Sequence, residues 1–145
     1  MKTVFLAIAV LLYSGVFAQA KDPICRVWYN EEKDSKVEVY ATANGTYQAK
    51  VVWLKEPVLN GKTRVDEKNP NEKLRNRPIM GLVFLWNLKK SPDEKDFYVD
   101  GKIYDPKNGK TYDCRMTFKG DHIDLRGYVL GMPFLGRTSV WTKAD

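Results

Sequence analysis

Residues 110–119 read KTYDCRMTFK, and apolar and polar side chains alternate along them without a break. Every second residue from Tyr112 to Phe118 is apolar, whereas Asp113, Arg115 and Thr117 stand between them. A period of two is typical of a β-strand that buries one face and exposes the other. The pattern therefore predicts a strand at the edge of a core.

The same period recurs along the chain, separated by turn residues such as Asn44-Gly45, a strong hairpin signal because both residues tolerate positive φ. Eight consecutive strands with mostly short turns favour closure into an all-β, single up-and-down antiparallel β-barrel of about eight strands, whose interior can hold one small ligand. The predicted strands are Ile24–Tyr29, Ser35–Ala43, Thr46–Leu54, Ile79–Leu88, Phe97–Tyr104, Lys110–Lys119, His122–Leu130 and Gly136–Lys143.

One long segment interrupts the alternation. Residues 56–77 are charged and rich in Pro, Asn and Gly, which predicts a long loop with one helical turn near Glu72 to Leu74. Loops of this length in compact domains are often lids or binding elements, and a mobile surface excursion is the alternative.

The strand that follows, Ile79–Leu88, is apolar on both predicted faces. One face then needs a cover outside the barrel, either the preceding loop, a partner chain or a hydrophobic ligand. We expect the loop, because it is tethered next to the strand.

The first twenty residues predict export. Lys2 precedes the apolar run from Val4 to Tyr13, and Ala18-Gln19-Ala20 is a small-x-small cleavage site, so residues 1–20 have the pattern of a signal peptide. No second long apolar run follows, and no transmembrane segment is expected in the mature chain. Residues 21–145 are then one domain located in the periplasm or secreted.

Composition indicates a globular protein, since 29% of the residues are charged and 12% are aromatic. Loss of Lys2 reduces the formal net charge from +6 to +5. Scattered lysines usually form a solvated surface, and binding to anionic polymers or lipid headgroups is the alternative.

Cys25 and Cys114 are the two cysteines of the chain. An even count in an oxidising compartment favours a Cys25–Cys114 disulfide. Two free buried thiols remain the alternative, since Cys114 falls on the apolar face of its strand.

No catalytic or metal-binding constellation is recognisable. The single histidine, His122, stands in a turn beside Asp121, and neither Ser91 nor Ser139 lies in a Gly-x-Ser-x-Gly elbow. Acidic residues cluster in turns, and the glycines form no phosphate-binding loop. The sequence therefore predicts a protein that is not an enzyme and has no cofactor. Basic and aromatic residues alternate near Trp28 and Tyr128, but export argues against nucleic acid as a partner.

Several motifs give the chain a family resemblance. The mature chain resembles a bacterial exported family, the domain of unknown function 2147 family, whose members look lipocalin-like; the resemblance implies a barrel fold and export but no activity. Its carriers are Asp22-Pro23-Ile24, Trp28, Pro78-Ile79-Met80-Gly81-Leu82, Trp86, Gly101–Pro106, Gly109–Tyr112, Arg126-Gly127-Tyr128, Gly131, Leu135-Gly136-Arg137-Thr138 and Trp141.

Lipocalins keep a Gly-x-Trp on the first strand and an Arg on the last strand that stacks on that Trp. The resemblance implies these parts for Trp28 and Arg137. Arg26 stands where the glycine would be, which adds a second cation near Trp28.

These patterns favour a non-enzymatic binder of a small hydrophobic or amphipathic ligand, held among inward aromatic, aliphatic and cationic side chains. A filled core is the alternative for the same residues. An envelope interaction protein, using Ile79–Trp86 or the 56–77 loop against a macromolecule, is the second functional hypothesis. The predicted barrel lining and ends comprise Arg26, Trp28, Tyr47, Trp53, Trp86, Tyr112, Arg126, Tyr128, Arg137 and Trp141.

Overall fold

The computed structural model describes residues 21–144, so the predicted signal peptide lies outside the described residues. Ten strands and one 3₁₀ turn, Glu72–Leu74, form this part of the chain. The strands are β1 (Val27–Tyr29), β2 (Ser35–Ala41), β3 (Tyr47–Leu54), β4 (Val58–Leu59), β5 (Lys62–Thr63), β6 (Val83–Lys90), β7 (Phe97–Asp105), β8 (Lys110–Phe118), β9 (His122–Val129) and β10 (Met132–Lys143).

Eight of these strands close into a barrel in the order β1-β10-β9-β8-β7-β6-β3-β2, and every neighbouring pair is antiparallel. Strand β1 closes the cylinder by pairing with both β2 and β10. The remaining two, β4 and β5, form a separate hairpin. The predicted all-β, up-and-down barrel of eight strands is confirmed.

The two ends of the barrel differ in what covers them. At one end, short turns and the N-terminal residues 21–26 meet; we call this the closed end. The other end carries the β1–β2 turn, the long segment from residue 55 to residue 82, the β7–β8 turn and the β9–β10 tip. We call this the open end, because the cavity described below reaches it.

Fully buried side chains pack the closed half. The indole of Trp28 donates from Nε1 to the Ile24 carbonyl at 2.9 Å, which satisfies the one polar atom of this buried ring. Tyr47 packs edge-on against Tyr98, with ring centroids 5.4 Å apart. The hydrophobic side chains with no exposed surface are Ile24, Trp28, Val39, Ala49, Leu85, Leu88, Tyr98, Cys114, Met116 and Ile123.

Asp22 ties the N-terminal segment to the closed end. Its carboxylate accepts hydrogen bonds from the hydroxyls of Tyr98 and Tyr47 (the latter at 3.0 Å) and from Lys90 Nζ at 3.1 Å. Burial raises the pKa of Asp22, but these hydrogen bonds together outweigh burial and lower the pKa below its usual value. The carboxylate stays charged and holds the segment in place.

The prediction that Ile79–Leu88 needs an outside cover is wrong. The register of β3 against β6 shifts between Ala49 and Lys50, and a second irregularity occurs at Asn87, whose φ is 60°. Bulges of this kind place consecutive residues on one side of a strand. Phe84 and Leu85 are therefore both buried, and the strand itself begins only at Val83.

The 56–77 segment is more ordered than a long loop. It contains the β4–β5 hairpin and the predicted turn at Glu72–Leu74, which is confirmed, and Val65 forms a β-bridge with Pro78. The β7–β8 turn packs closely on it, since a Cβ at Gly109 would lie 2.0 Å from the Lys68 carbonyl oxygen. The segment forms a wall of the open end rather than a free excursion.

The predicted Cys25–Cys114 disulfide is not formed, and both thiols are free and buried. Cys25 lies in the N-terminal turn near the end of β2, whereas Cys114 lies in the middle of β8. In the barrel order these two strands stand on opposite sides. Burial raises the pKa of Cys114 to about 12, so this thiol stays protonated and inert.

Candidate functional site

The open half of the barrel contains a cavity of about 1080 Å³. Its apolar wall is formed by buried and partly buried side chains from six strands and by Ile79, which precedes β6 by four residues. They are Val37, Val51, Leu54, Ile79, Phe84, Ile103, Leu125 and Trp141. No side chain of the fully buried set in the closed half lines this cavity among residues 21–144.

One cross-strand row marks the boundary between the filled and the hollow half. Cys114 pairs with Gly101 on one side and with Gly127 on the other. A Cβ at Gly101 would lie 2.6 Å from the Cys114 sulfur and 2.8 Å from Leu88 Cδ1, whereas a Cβ at Gly127 would meet only Ile103 Cγ2, at 3.9 Å. Gly101 is therefore packed against the core, and Gly127 borders open space.

Aromatic and polar groups interrupt the apolar wall at a few places. Phe84 and Trp141 lie 6.1 Å apart between ring centroids, and both rings line the cavity. Tyr112, Tyr128 and Ser139 add hydroxyl groups to the lining. A mostly apolar wall with a few hydroxyls is typical of a site for a small hydrophobic or amphipathic molecule.

Charged side chains gather where the cavity opens. Arg137 pairs with Glu31, and Lys107 lies 3.7 Å from Glu32, so these cations are partly neutralised. Three further cations line the cavity and take part in no ion pair within the described residues, namely Lys62, Arg64 and Lys68.

A buried carboxylate organises the wall beside the mouth. Asp66 has no exposed surface, and it accepts hydrogen bonds from Tyr104 Oη at 2.6 Å, Asn69 Nδ2 at 2.7 Å and Arg77 Nε at 2.8 Å. Burial raises the pKa of Asp66, but the three donors outweigh burial and lower the pKa below its usual value. Burial and the adjacent carboxylate raise the pKa of Tyr104 to about 12.

Sequence reasoning missed this cluster. Asp66 stands between Val65 and Glu67 in a charged segment, where a carboxylate normally faces water. The available signal was Asn69-Pro70-Asn71, a turn that brings an amide back to the preceding acid. Tyr104 contributes from β7, so the cluster joins the 55–82 segment to the barrel wall.

Comparison with protein families gives a match over residues 27–143, to the family described as uncharacterized protein conserved in bacteria (DUF2147). The chain belongs to this family. The predicted resemblance is thereby confirmed.

Among solved structures, this DUF2147 chain is similar to protein HP1028 from the human pathogen Helicobacter pylori, which is described as belonging to the lipocalin family. The TM-score is 0.72 at 28% sequence identity, and the match covers 84% of this chain and 83% of that one. The fold is thus a lipocalin-like barrel. No curated protein matches the chain.

Four of the ten predicted site residues line the cavity of the DUF2147 barrel. They are Tyr112, Tyr128, Arg137 and Trp141. That they bind a ligand stays a prediction.

The other six predicted site residues lie away from the cavity. Trp28 and Tyr47 belong to the closed end, and Arg26 stacks on Trp28. Trp53 lies on the outer wall, where Lys36 stands over both its ring and that of Tyr29. The remaining two are Trp86, half-buried against the core, and Arg126, which donates to the Pro133 carbonyl. Alternation indicated an inward face but not which half of the barrel is hollow.

The prediction that Arg137 stacks on Trp28 is wrong. Trp28 pairs with Lys143, near the end of β10, whereas Arg137 lies six residues earlier and pairs with Glu31 at the open end. The cation over the Trp28 ring is Arg26, whose Cζ lies 5.8 Å from the ring centroid. Arg26, the second cation predicted near Trp28, is therefore present, and it occupies the position over the ring that was expected for Arg137.

The described residues contain no group of three or more His, Cys, Asp or Glu side chains that is placed to hold a metal ion. His122 contacts only Asp121 and Asp124 through its ring nitrogens, at the closed end. Within residues 21–144, no helix has the length and apolar character needed to span a bilayer.

Proposed function

We propose that this protein is a non-enzymatic binder of a small hydrophobic or amphipathic molecule, exported to the periplasm or secreted. The observation that carries the proposal is the asymmetry of the barrel interior. Closed-half side chains leave no room, whereas Phe84, Leu125 and Trp141 border a cavity that reaches the surface. Drug-sized ligands occupy pockets of roughly 300–1,000 Å³, so a cavity of about 1080 Å³ suits one molecule with an extended apolar part.

Five cations and four acids line the cavity, and the cations without an ion pair favour an anionic polar end on the ligand. Lys62, Arg64 and Lys68 line the cavity without an acidic partner among the described residues. A ligand lying with its apolar part against Trp141 would bring its polar end towards these three cations. An amphipathic anion therefore fits both the wall and the rim.

Export rests on the pattern of residues 1–20 and supports an extracytoplasmic ligand. The lining carries hydroxyl groups from Tyr112, Tyr128 and Ser139 and four carboxylates, but among the described residues neither His122 nor a cysteine lines it. Binding without chemical change of the ligand is the simplest function of such a lining.

The second hypothesis places a macromolecular partner on the 56–77 loop or on Ile79–Trp86, and the Ile79–Trp86 stretch gives it little support. Leu82 and Phe84 are buried in the chain's own core, and among the larger side chains of this stretch only Met80 and Val83 are substantially exposed. A macromolecular partner would find little apolar surface there.

Native mass spectrometry of protein purified from its own envelope tests the binding proposal. We expect a co-purifying small molecule bound one to one, and displacement of that molecule by anilinonaphthalene sulfonate with a gain in the dye's fluorescence. Protein that carries no ligand and gives no fluorescence gain in the folded state would rule the proposal out. Denatured protein, which has no cavity, is the matched control.

A further inference from the structure

The β9–β10 tip exposes an unusual amount of apolar surface. Phe134 is 76% exposed, the highest value among the large hydrophobic side chains of the described residues, and Leu130 is 53% exposed. The tip turns at Gly131, whose φ is 74°. Clustered side chains of this kind mark an interaction site more often than isolated ones do. The exposed apolar residues of the tip are Val129, Leu130, Met132, Phe134 and Leu135.

A second apolar projection stands on the other side of the cavity mouth. Val58 and Leu59 of the β4–β5 hairpin are 54% and 53% exposed. Leu59 and Leu135 both line the cavity, so the hairpin and the tip flank one opening. We call the two projections together the apolar rim.

Cations accompany the apolar rim. Residues 55–82 carry seven Lys and Arg side chains against four Asp and Glu side chains. One of the four acids, Asp66, is buried and already paired with Arg77. Lys62 and Lys68 are exposed beside Leu59, within the same mouth.

Exposed apolar tips at a mouth that carries unpaired cations match the chemistry of the surface of a bilayer that contains anionic lipids. Aromatic and aliphatic side chains enter the boundary between headgroups and acyl chains, while Lys and Arg attract the headgroups. A protein partner would need an apolar and acidic surface shaped to two separate projecting tips. The bilayer requires no such fit.

We propose that the open end of this barrel docks onto the surface of an anionic bilayer, with Phe134 and Leu130 inserted at the interface. The cavity mouth then faces the lipid. An amphipathic ligand passes between bilayer and cavity without its apolar part crossing bulk water. Docking depends on the rim and not on what the cavity holds, so it goes beyond the binding function proposed above.

Flotation of the chain 21–145 with lipid vesicles tests the docking. We expect binding to vesicles of phosphatidylcholine with about one third phosphatidylglycerol, and little binding to phosphatidylcholine alone. High salt reduces the bound fraction, because it screens the attraction of Lys62 and Lys68 to the headgroups. Phe134→Ser lowers the affinity by about tenfold, since the largest inserted side chain is lost.

Val140→Ser is the matched control, because Val140 is an exposed apolar residue of the same strand on the outer wall of the barrel, away from the tip. It should bind vesicles like the unaltered chain. Far-ultraviolet circular dichroism melting confirms that both variants fold. A variant with a blocked cavity, Gly127→Phe, should still dock while it fails to bind the dye, which separates docking from ligand binding.

Three results would overturn the docking proposal. One is absence of flotation with anionic vesicles. Another is equal loss of binding in Phe134→Ser and Val140→Ser. The third is a dimer that forms with rising protein concentration, does not bind vesicles and is dissociated by Phe134→Ser. In that case a second copy of the chain would cover the tip.

Discussion

Replacement of Asp66 by alanine should lower the free energy of unfolding by about 3 kcal/mol. The carboxylate is fully buried and accepts from Tyr104, Asn69 and Arg77, so its removal leaves three donors without their acceptor. Breaking a buried ion pair costs roughly 3–5 kcal/mol, and the lower end applies because the Arg77 side chain keeps 35% of its surface exposed to water. Urea denaturation followed by tryptophan fluorescence measures the change.

Glu67→Ala is the matched control for this prediction, since Glu67 is the exposed neighbour of Asp66 and should cost less than about 0.5 kcal/mol. Amide hydrogen exchange should also locate the Asp66→Ala damage in residues 64–78, which Asp66 joins to β7. A loss in Asp66→Ala no larger than that in Glu67→Ala would show that the cluster does not hold the segment.

The effect of Asp66 should depend on pH in a defined direction. Its pKa in the folded protein is lowered from the usual value of 3.8, so its contribution is complete above that value and disappears as pH falls through the folded-state pKa. The difference in stability between the unaltered chain and Asp66→Ala should therefore be constant near neutral pH and shrink below about pH 4. A difference that grows on acidification would contradict the assignment of a charged, hydrogen-bonded carboxylate.

Filling the hollow half should abolish most ligand binding without unfolding the barrel. Gly127→Phe places a ring in the cavity, because a Cβ at this position meets only Ile103 Cγ2, at 3.9 Å. We expect the affinity for anilinonaphthalene sulfonate to fall at least about tenfold, equivalent to about 1.4 kcal/mol. Fluorescence titration measures the affinity, and thermal melting measures the fold.

Gly127→Ala is the control at the same position, since a single methyl group fits the open space and leaves dye binding unchanged. Gly101→Ala tests the other half, where the added methyl meets Cys114 and Leu88 in a packed core and should cost about 1–3 kcal/mol. If Gly127→Ala destabilised the protein as much as Gly101→Ala, the two halves would not differ in packing.

The sequence predicts the architecture well because alternation is a local property. Along Lys110–Phe118 the polarity of each residue indicates whether it faces the core or the solvent, and the turns between strands are rich in Gly, Asn, Asp and Pro. The failure at β6 has the same physical basis. A bulge at Phe84 and another at Asn87 change the period locally. Phe84 gives no sign of its bulge, and Asn87 tolerates its φ of 60° but is a single polar residue in an apolar run.

The site is harder to predict, because it depends on contacts between distant residues. Gly101 and Gly127 look alike in the sequence, since each is a glycine within a strand. Their neighbours across the barrel differ, so that Gly101 is tightly packed and Gly127 borders the cavity. Asp66 is charged among charged residues, and its burial results from Tyr104, which is 38 positions further along the chain. Of the predicted aromatic lining, Trp141 borders the cavity and Trp28 does not, since their heights in the barrel differ.

The half-hollow interior is tested most directly by methyl nuclear magnetic resonance during titration with anilinonaphthalene sulfonate. The ligand should shift the methyl signals of Val37, Val51 and Leu125, which line the cavity, and leave those of Leu88 and Met116 in place. Shifts spread evenly over both sets, or confined to Leu88 and Met116, would contradict a barrel that is filled at its closed end and open at the other.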